Sequence, residues 1–186
     1  MEGHHCLKPR GCLMIEHRLI ERAIELMRAE KSRIEAGGEL DPIFIDKIVD
    51  FIRVYADRTH HGKEEDILFE DLETRPISED EVVLMKELVE EHKLGRKLTR
   101  ELVAAKDAFL AGDASQVRTI LDGFQALIDF YPQHIEKEDK HFFPDTERHY
   151  STEQLDTMLK EFYDFDMQMI HEKYKTDVSA WEEERR

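Results

Sequence analysis

The sequence contains no apolar run that approaches the roughly 18 residues a membrane-spanning helix needs, and its beginning lacks the pattern of a secretory signal. Basic residues are also scarce: 27 lysines and arginines stand against 43 aspartates and glutamates, which gives a net charge of −16. Binding to nucleic acid or to an anionic membrane surface needs a basic patch, so this balance argues against both partners. We therefore expect a cytoplasmic protein that binds neither.

Cysteines and glycine-rich loops are nearly absent as well. Cys6 and Cys12 are the only two cysteines, and in a reducing compartment two ordinary thiols are a simpler interpretation than a redox pair. The sequence has no glycine-rich motif of the kind that binds a nucleotide cofactor. An oxidase built on this chain would therefore need an external electron donor, for which a protein redox partner is one candidate.

No segment shows the apolar–polar alternation that is typical of a strand, whereas apolar residues recur at helical spacing along the chain. Glycine, proline and capping residues divide the chain into five predicted helices, at about 11–35, 42–72, 78–112, 114–148 and 151–181. The predicted fold is all-α: an up-down-up-down four-helix bundle over residues 1–150, with an additional C-terminal helix over residues 151–186 that packs on it. Pro132 should kink the fourth helix or force a π-type bulge in it.

A motif that occurs twice predicts a metal site. His61 and Glu65 form one H-x-x-x-E motif, and His134 and Glu138 form another. Residues four apart lie on one face of an α-helix, so each motif can direct an imidazole and a carboxylate at a common point. This combination of ligands suits iron, manganese or zinc better than calcium.

The helical register decides which His–Glu pair of the second helix faces the core. With α-helical spacing, His61 and Glu65 belong to an apolar row and are predicted to be buried. The competing pair, His60 and Glu64, shares its row with charged residues, which is typical of a mostly solvated face. The motif of the fourth helix also falls on an apolar row.

Two further histidines, His17 in the first helix and His92 in the third, lie on apolar faces of helices that lack the motif. Two antiparallel helices place their ligands at equal height when the two ligands are equally many residues from the turn between the helices, because each residue rises about 1.5 Å. The midpoints between successive ligand positions are residue 39, residues 76–77 and residue 113. Each midpoint falls on a predicted turn, so all four helices would bring their ligands to one level.

The predicted ligand set has four imidazoles and two carboxylates, more than one reactive metal ion can use. The set is His17, His61, Glu65, His92, His134 and Glu138. We predict two metal ions with the two glutamates as bridges. His17 and His61 would bind the first ion, and the other two histidines would bind the second.

Other interpretations of these residues stay open. A single buried histidine is more often a hydrogen-bonded core residue than a ligand, and zinc would use fewer, tetrahedral ligands. Ferritin-like proteins use paired E-x-x-H motifs, whereas Glu138-x-x-His141 occurs once here, on the fourth helix, and has no inward partner on the second. Glu21, one turn after His17, could be a seventh ligand or could orient an imidazole. Gly95 and Tyr131 could border an exogenous ligand or could serve helix packing.

The order of the predicted ligands, H … HxxxE … H … HxxxE over four helices, resembles the hemerythrin family, specifically its hemerythrin-like HHE cation-binding domains. The resemblance covers about residues 10–150. It implies two iron ions in a non-haem di-iron centre with an oxo or hydroxo bridge, which meets O2, NO or peroxide. The oxygen carriers of the family have a second histidine one turn after the third-helix ligand, where this chain has Arg96. This departure favours reaction with small oxidants over reversible O2 carriage.

The resemblance leaves three functions open. The protein could bind or sense a small diatomic ligand, or it could be an enzyme that reduces peroxide or O2. Iron handling, by storage or by repair of iron centres, is the alternative. The sequence identifies neither the catalytic residues nor the oligomeric state.

Overall fold

A computed structural model describes residues 8–184 of the protein, with side chains through residue 171 and at residue 173. Within this part of the chain the structure consists of five helices and has no strand, which confirms the predicted all-α class. Three of the five are regular α-helices: α1 is Pro9–Glu35, α3 is Glu79–Leu110 and α5 is Thr152–Glu184.

The second and fourth helices contain π-helical segments, in which backbone hydrogen bonds join residues i and i+5 and each turn is wider. Helix α2 comprises Pro42–Phe51 (α), Ile52–His61 (π), Glu64–Phe69 (π) and Glu70–Glu73 (α). Helix α4 comprises Gln116–Lys137 (α), Glu138–Phe142 (π) and Phe143–Glu147 (α).

Capping residues and glycines end the helices near the predicted positions. The Asp41 carboxylate accepts hydrogen bonds from two backbone N–H groups in the first turn of α2. Ser78 and Glu81 form a reciprocal capping box at the start of α3. Gly37 and Gly112 follow α1 and α3 with φ angles of 94° and 104°, a conformation that glycine adopts without strain.

Pro132 does not produce the local bulge that the sequence predicts. The α-helical part of α4 continues through Pro132, and the π-helical segment begins further along, at Glu138. Pro132 is exposed, so water can pair with the carbonyl group that the missing N–H leaves without a donor. The wide turn therefore lies at a predicted metal ligand and not at the proline.

The π-helical segments change which face of α2 is buried. Its buried residues recur every four positions: Ile52, Ala56, His60, Glu64, Leu68 and Leu72. In an α-helix such a row would drift by about 40° at each step, because four residues exceed one turn. The wider turns remove most of this drift. The expectation of a mostly solvated face for His60 and Glu64 is therefore wrong.

Helices α1 to α4 form a four-helix bundle in which α1 and α3 each contact α2 and α4. Short connections make neighbouring helices antiparallel. Two apolar clusters fill the bundle; one includes Ile20 and Phe124, and the other includes Leu13 and Phe142. His17 lies along α1 between Leu13 of one cluster and Ile20 of the other, so the predicted ligands occupy a layer between the two clusters.

Helix α5 packs against α1 and against the π-helical segments of α2, and it buries Met158 and Phe162 there. None of the described helices is both long and apolar enough to span a membrane. Cys12 is buried and disulfide-bonded, so it is not the ordinary thiol that was expected. The other cysteine, Cys6, lies outside the described residues.

Candidate metal centre

Seven buried side chains from the four bundle helices meet between the two apolar clusters. They form two groups, and within each group every member has one nitrogen or oxygen atom within 4.8 Å of the others. The first ligand group is His17, His60, Glu64 and Glu138, and the second ligand group is His61, His92 and His134. All seven are at most 2% exposed, so bulk solvent does little to stabilise their polar atoms.

In the first ligand group two imidazoles and two carboxylates converge. Nε2 of His17 lies 2.8 Å from Nε2 of His60 and 3.1 Å from Oε2 of Glu138. Oε1 of Glu64 lies 3.4 Å from Nε2 of His60. Two imidazole nitrogens at this separation need a shared proton or a cation between their lone pairs. Helices α1, α2 and α4 thus offer nitrogen and oxygen ligands at one point.

In the second ligand group three imidazole rings pack together. The rings of His61 and His92 are stacked, with centroids 3.8 Å apart. The ring of His134 meets both of them edge on, at centroid distances of 5.4 and 5.0 Å. Helices α2, α3 and α4 each contribute one ring to this group.

Two carboxylates span both groups, each with one oxygen toward either side. Oε2 of Glu138 faces His17 at 3.1 Å, and its Oε1 faces Nε2 of His134 at 3.2 Å. Oε1 of Glu64 faces His60, and its Oε2 faces Nε2 of His92, both at 3.4 Å. Each of these two glutamates therefore offers one oxygen to each ligand group.

The electrostatics of the site favour a cation. The side-chain oxygens of Glu64 and Glu138 have no hydrogen-bond partner within the described part of the chain, and a buried carboxylate without compensating charge is strongly unfavourable. Burial and the nearby Glu138 raise the pKa of Glu64 well above its usual value. Burial also acts to raise the pKa of Glu138 and is the largest single effect, but the interactions with His134, His17 and His92 together outweigh it and the pKa is lowered. Burial lowers the pKa values of His60 and His61, which leaves neutral imidazoles with a free lone pair.

Each of the five histidines directs its Nδ1 at an acid outside the two ligand groups. The pairs are His17–Asp139 (2.7 Å), His60–Glu16 (2.7 Å), His61–Asp57 (3.4 Å), His92–Glu65 (2.6 Å) and His134–Glu91 (2.9 Å). We call these five acids the outer carboxylates. Donation from Nδ1 to a carboxylate fixes the ring orientation and leaves Nε2 for a cation, the arrangement usual around metal-binding histidines.

The structure brings five of the six sequence-predicted ligands into the two groups: His17, His61, His92, His134 and Glu138. Glu65 is in neither group; its side chain is 26% exposed, and Oε1 contacts Nδ1 of His92 and accepts a hydrogen bond from Arg96. The pairing also differs, because His61 groups with His92 and not with His17. The wide turns of α2 explain both differences, since they bring His60 and Glu64 to the inner face.

Sequence reasoning missed the inward position of His60 and Glu64 and the role of the outer carboxylates. A usable signal in the sequence was the four-residue recurrence of apolar residues at positions 52, 56, 68 and 72 around His60 and Glu64, because an α-helix does not keep such a repeat on one face. Four of the outer carboxylates directly precede or follow a member of a ligand group in the sequence: Glu16, Glu65, Glu91 and Asp139. Adjacent acids of this kind could have indicated the outer layer.

A cavity of about 280 Å³ adjoins the second ligand group, and its lining includes His61, Gly95, Arg96 and Tyr131. Arg96 donates hydrogen bonds to Asp57 and Glu65, at 2.7 and 2.8 Å. Gly95, Arg96 and Tyr131, which the sequence analysis singled out, therefore border an open space beside the second ligand group.

Glu21 is outside the centre. Its side chain is 39% exposed, and it pairs with Arg18 on the surface of α1 at 3.2 Å. His17 receives its carboxylate contact from Asp139 instead. Glu21 therefore neither joins a ligand group nor orients an imidazole in this structure.

Comparison with known proteins identifies one related family. A sequence model of the hemerythrin HHE cation-binding domain matches residues 12–146, a range that includes every member of both ligand groups. Searches of curated proteins and of solved structures found no match.

Proposed function

The chain belongs to the hemerythrin HHE cation-binding domain family, and we propose that it binds two iron ions and with them binds or reacts with O2, NO or peroxide. The main support is the position of Glu64 and Glu138, each with one oxygen toward each ligand group. Two buried carboxylates among five imidazoles are unfavourable in an empty core, and two cations would compensate them.

The donor set suits iron. Imidazole and carboxylate ligands are typical of non-haem iron, and seven donors exceed what one tetrahedral zinc ion would use. His17 and His60 would bind the first ion, and the second ligand group would bind the other. Both glutamates would be shared. Iron in such a pair can exchange electrons with a small oxidant.

The cavity supports a small ligand with access to the second ligand group. Besides His61 and Tyr131, its lining includes three arginines, Arg53, Arg96 and Arg100. Cationic walls attract anions and admit small neutral molecules. We infer that the exogenous ligand approaches through this cavity and that Arg96, held by two carboxylates, borders it.

Iron handling is the second candidate, and the same cavity argues against it. A ferrous ion that entered or left through the cavity would pass three guanidinium groups of like charge, whereas the lining includes one carboxylate, Asp57, which is already paired with Arg96. Reaction with a small oxidant is therefore the function that the geometry favours.

Anaerobic titration of the metal-free protein with Fe(II) tests the proposal. We expect two ions per chain, followed by optical changes when O2, NO or peroxide is added. A reversible change would indicate a binding or sensing protein, and repeated consumption of the oxidant would indicate an enzyme.

Two variants provide the controls. His60→Ala should lose iron, whereas His149→Ala should keep two ions, because His149 pairs with Glu81 at a site remote from both groups. One ion or none in the unaltered protein would contradict the proposal. Iron that is bound but inert to all three oxidants, and readily passed to a chelator, would favour iron handling instead.

A further inference from the structure

Lys63 is a buried cation that directly precedes Glu64. Its side chain has no exposed surface, and its ammonium group pairs with the carboxylate of Glu16 and with Oδ1 of Asp166, the latter at 2.7 Å. A buried ammonium is unfavourable unless charged partners compensate it, and here two carboxylates do so. The lysine therefore depends on an acid from α1 and on an acid from α5.

The C-terminal helix encloses this lysine with residues spaced three and four apart on one face, Phe162, Phe165 and Asp166. The ring centroid of Phe162 lies 5.8 Å from Nζ of Lys63. A Cβ atom on Gly62 would lie only 2.7 Å from Cζ of Phe165. Glycine at position 62 thus allows α5 to approach the π-helical part of α2 closely enough for Asp166 to reach Lys63.

Glu16 connects the lysine to the first ligand group. Its Oε1 contacts Lys63, and its Oε2 lies 2.7 Å from Nδ1 of His60. A continuous series of polar contacts therefore runs from Asp166 through Lys63 and Glu16 to His60.

The cations that pair with the outer carboxylates differ in exposure. Arg18 pairs with Asp139, Arg96 pairs with Asp57 and Glu65, and Lys137 pairs with Glu91. The side chains of these three cations are 54%, 32% and 32% exposed. Lys63 is fully buried, so its position depends on packing against α5 and not on solvent.

We infer that Lys63 is a positioning residue of the first ligand group and that α5, through Asp166, holds it in place. The inference rests on the proposed binding of two ions. Lys63 anchors one oxygen of Glu16, and the other oxygen orients His60. The C-terminal helix is then part of the metal centre, although none of its described residues belongs to a ligand group.

Titration of the metal-free protein with Co(II), followed by visible absorption and by competition with a chelator, tests the inference. Lys63→Met should lower the Co(II) affinity of the first ligand group by about 10–100-fold, the usual effect of losing a group that orients a ligand. The affinity of the second ligand group for Co(II) should stay nearly unchanged. Asp166→Asn should act in the same direction and more weakly. In the Lys63→Met background, Asp166→Asn should add little, because its effect passes through the lysine.

Lys106→Met is the matched control. Lys106 is also largely buried and pairs with Asp46 and Asp107, at a site that joins α3 to α2 away from both ligand groups. This variant should bind both ions as tightly as the unaltered protein does. Equal Co(II) affinities for Lys63→Met and Lys106→Met would overturn the inference and leave the proposed function intact. Failure of the unaltered protein to bind two ions would overturn the proposed function itself.

Discussion

The two ligand groups share Glu64 and Glu138 but have different surroundings. The first group lies near α5, where Lys63 and Glu16 support His60 without exposure of the lysine. The second group lies beside a cavity whose lining includes His61. Under the proposed function, this comparison predicts a division of roles within one centre: the first group would hold its ion in an enclosed place, and the second would be accessible to a small ligand.

The largest expected effect follows from removing the carboxylate that both groups share most closely. Glu138→Gln should reduce iron content from two ions to none per chain, because each group loses an anionic oxygen at the position between them. Elemental analysis after iron reconstitution would measure this. Glu136→Gln is the control, since Glu136 pairs with Lys140 on the exposed side of the same helix. If the Glu138 variant kept both ions, the two groups would not depend on a shared carboxylate.

A second prediction distinguishes the two neighbouring acids of α2. Glu64→Gln should weaken iron binding by more than about 100-fold, because Glu64 faces both groups. Glu65→Gln should weaken it by about 10-fold and mainly at the second group, because an amide oxygen can still accept a hydrogen bond from Nδ1 of His92. Chelator competition with each variant would give the two affinities. A larger loss for the Glu65 variant would indicate that α2 has the α-helical register in solution.

The regular helices show how much of the centre sequence could predict. In α1 and α3, α-helical spacing identified His17 and His92, and turn signals placed them at the level of the other ligands. The same spacing failed in α2, because an uninterrupted α-helix was assumed where the chain forms π-helical turns. An error of one residue in register exchanges Glu65 for Glu64 and omits His60.

The outer carboxylates could not be assigned from the sequence for a different reason. Four of the five contacts between Nδ1 and a carboxylate join different helices, such as His17 with Asp139. The chain has 43 acidic residues, so the presence of an acid next to a ligand was weak evidence without the packing of the helices. The position of Lys63 likewise depends on where α5 crosses α2.

A third prediction concerns one substitution that should stabilise the metal-free protein and at the same time weaken iron binding. Glu64→Met should raise the free energy of unfolding of the metal-free protein by about 1–3 kcal/mol, because it removes a buried carboxylate whose oxygens lack partners in the described structure. The same variant should lose the stabilisation that iron gives to the unaltered protein. Urea unfolding with and without Fe(II) would measure both effects, and Glu136→Met should change neither appreciably. A destabilised metal-free variant would mean that Glu64 is already well compensated without a metal ion.

The smallest expected effect tests the access that distinguishes the second group. Gly95 borders the cavity together with His61 and Arg96, so Gly95→Leu should fill part of this space and weaken azide binding to the iron-loaded protein by about 10-fold, or about 1.4 kcal/mol. Gly95→Ala is the graded control, because its Cβ would make the same 3.1 Å contact with Phe130 and would occupy little of the cavity. Iron content should stay at two ions in both variants, since neither replaces a ligand. If optical titration gave the same azide affinity for Gly95→Leu and for the unaltered protein, the accessible position would lie elsewhere, most simply at the first ligand group. The proposed difference in access between the two groups would then be wrong.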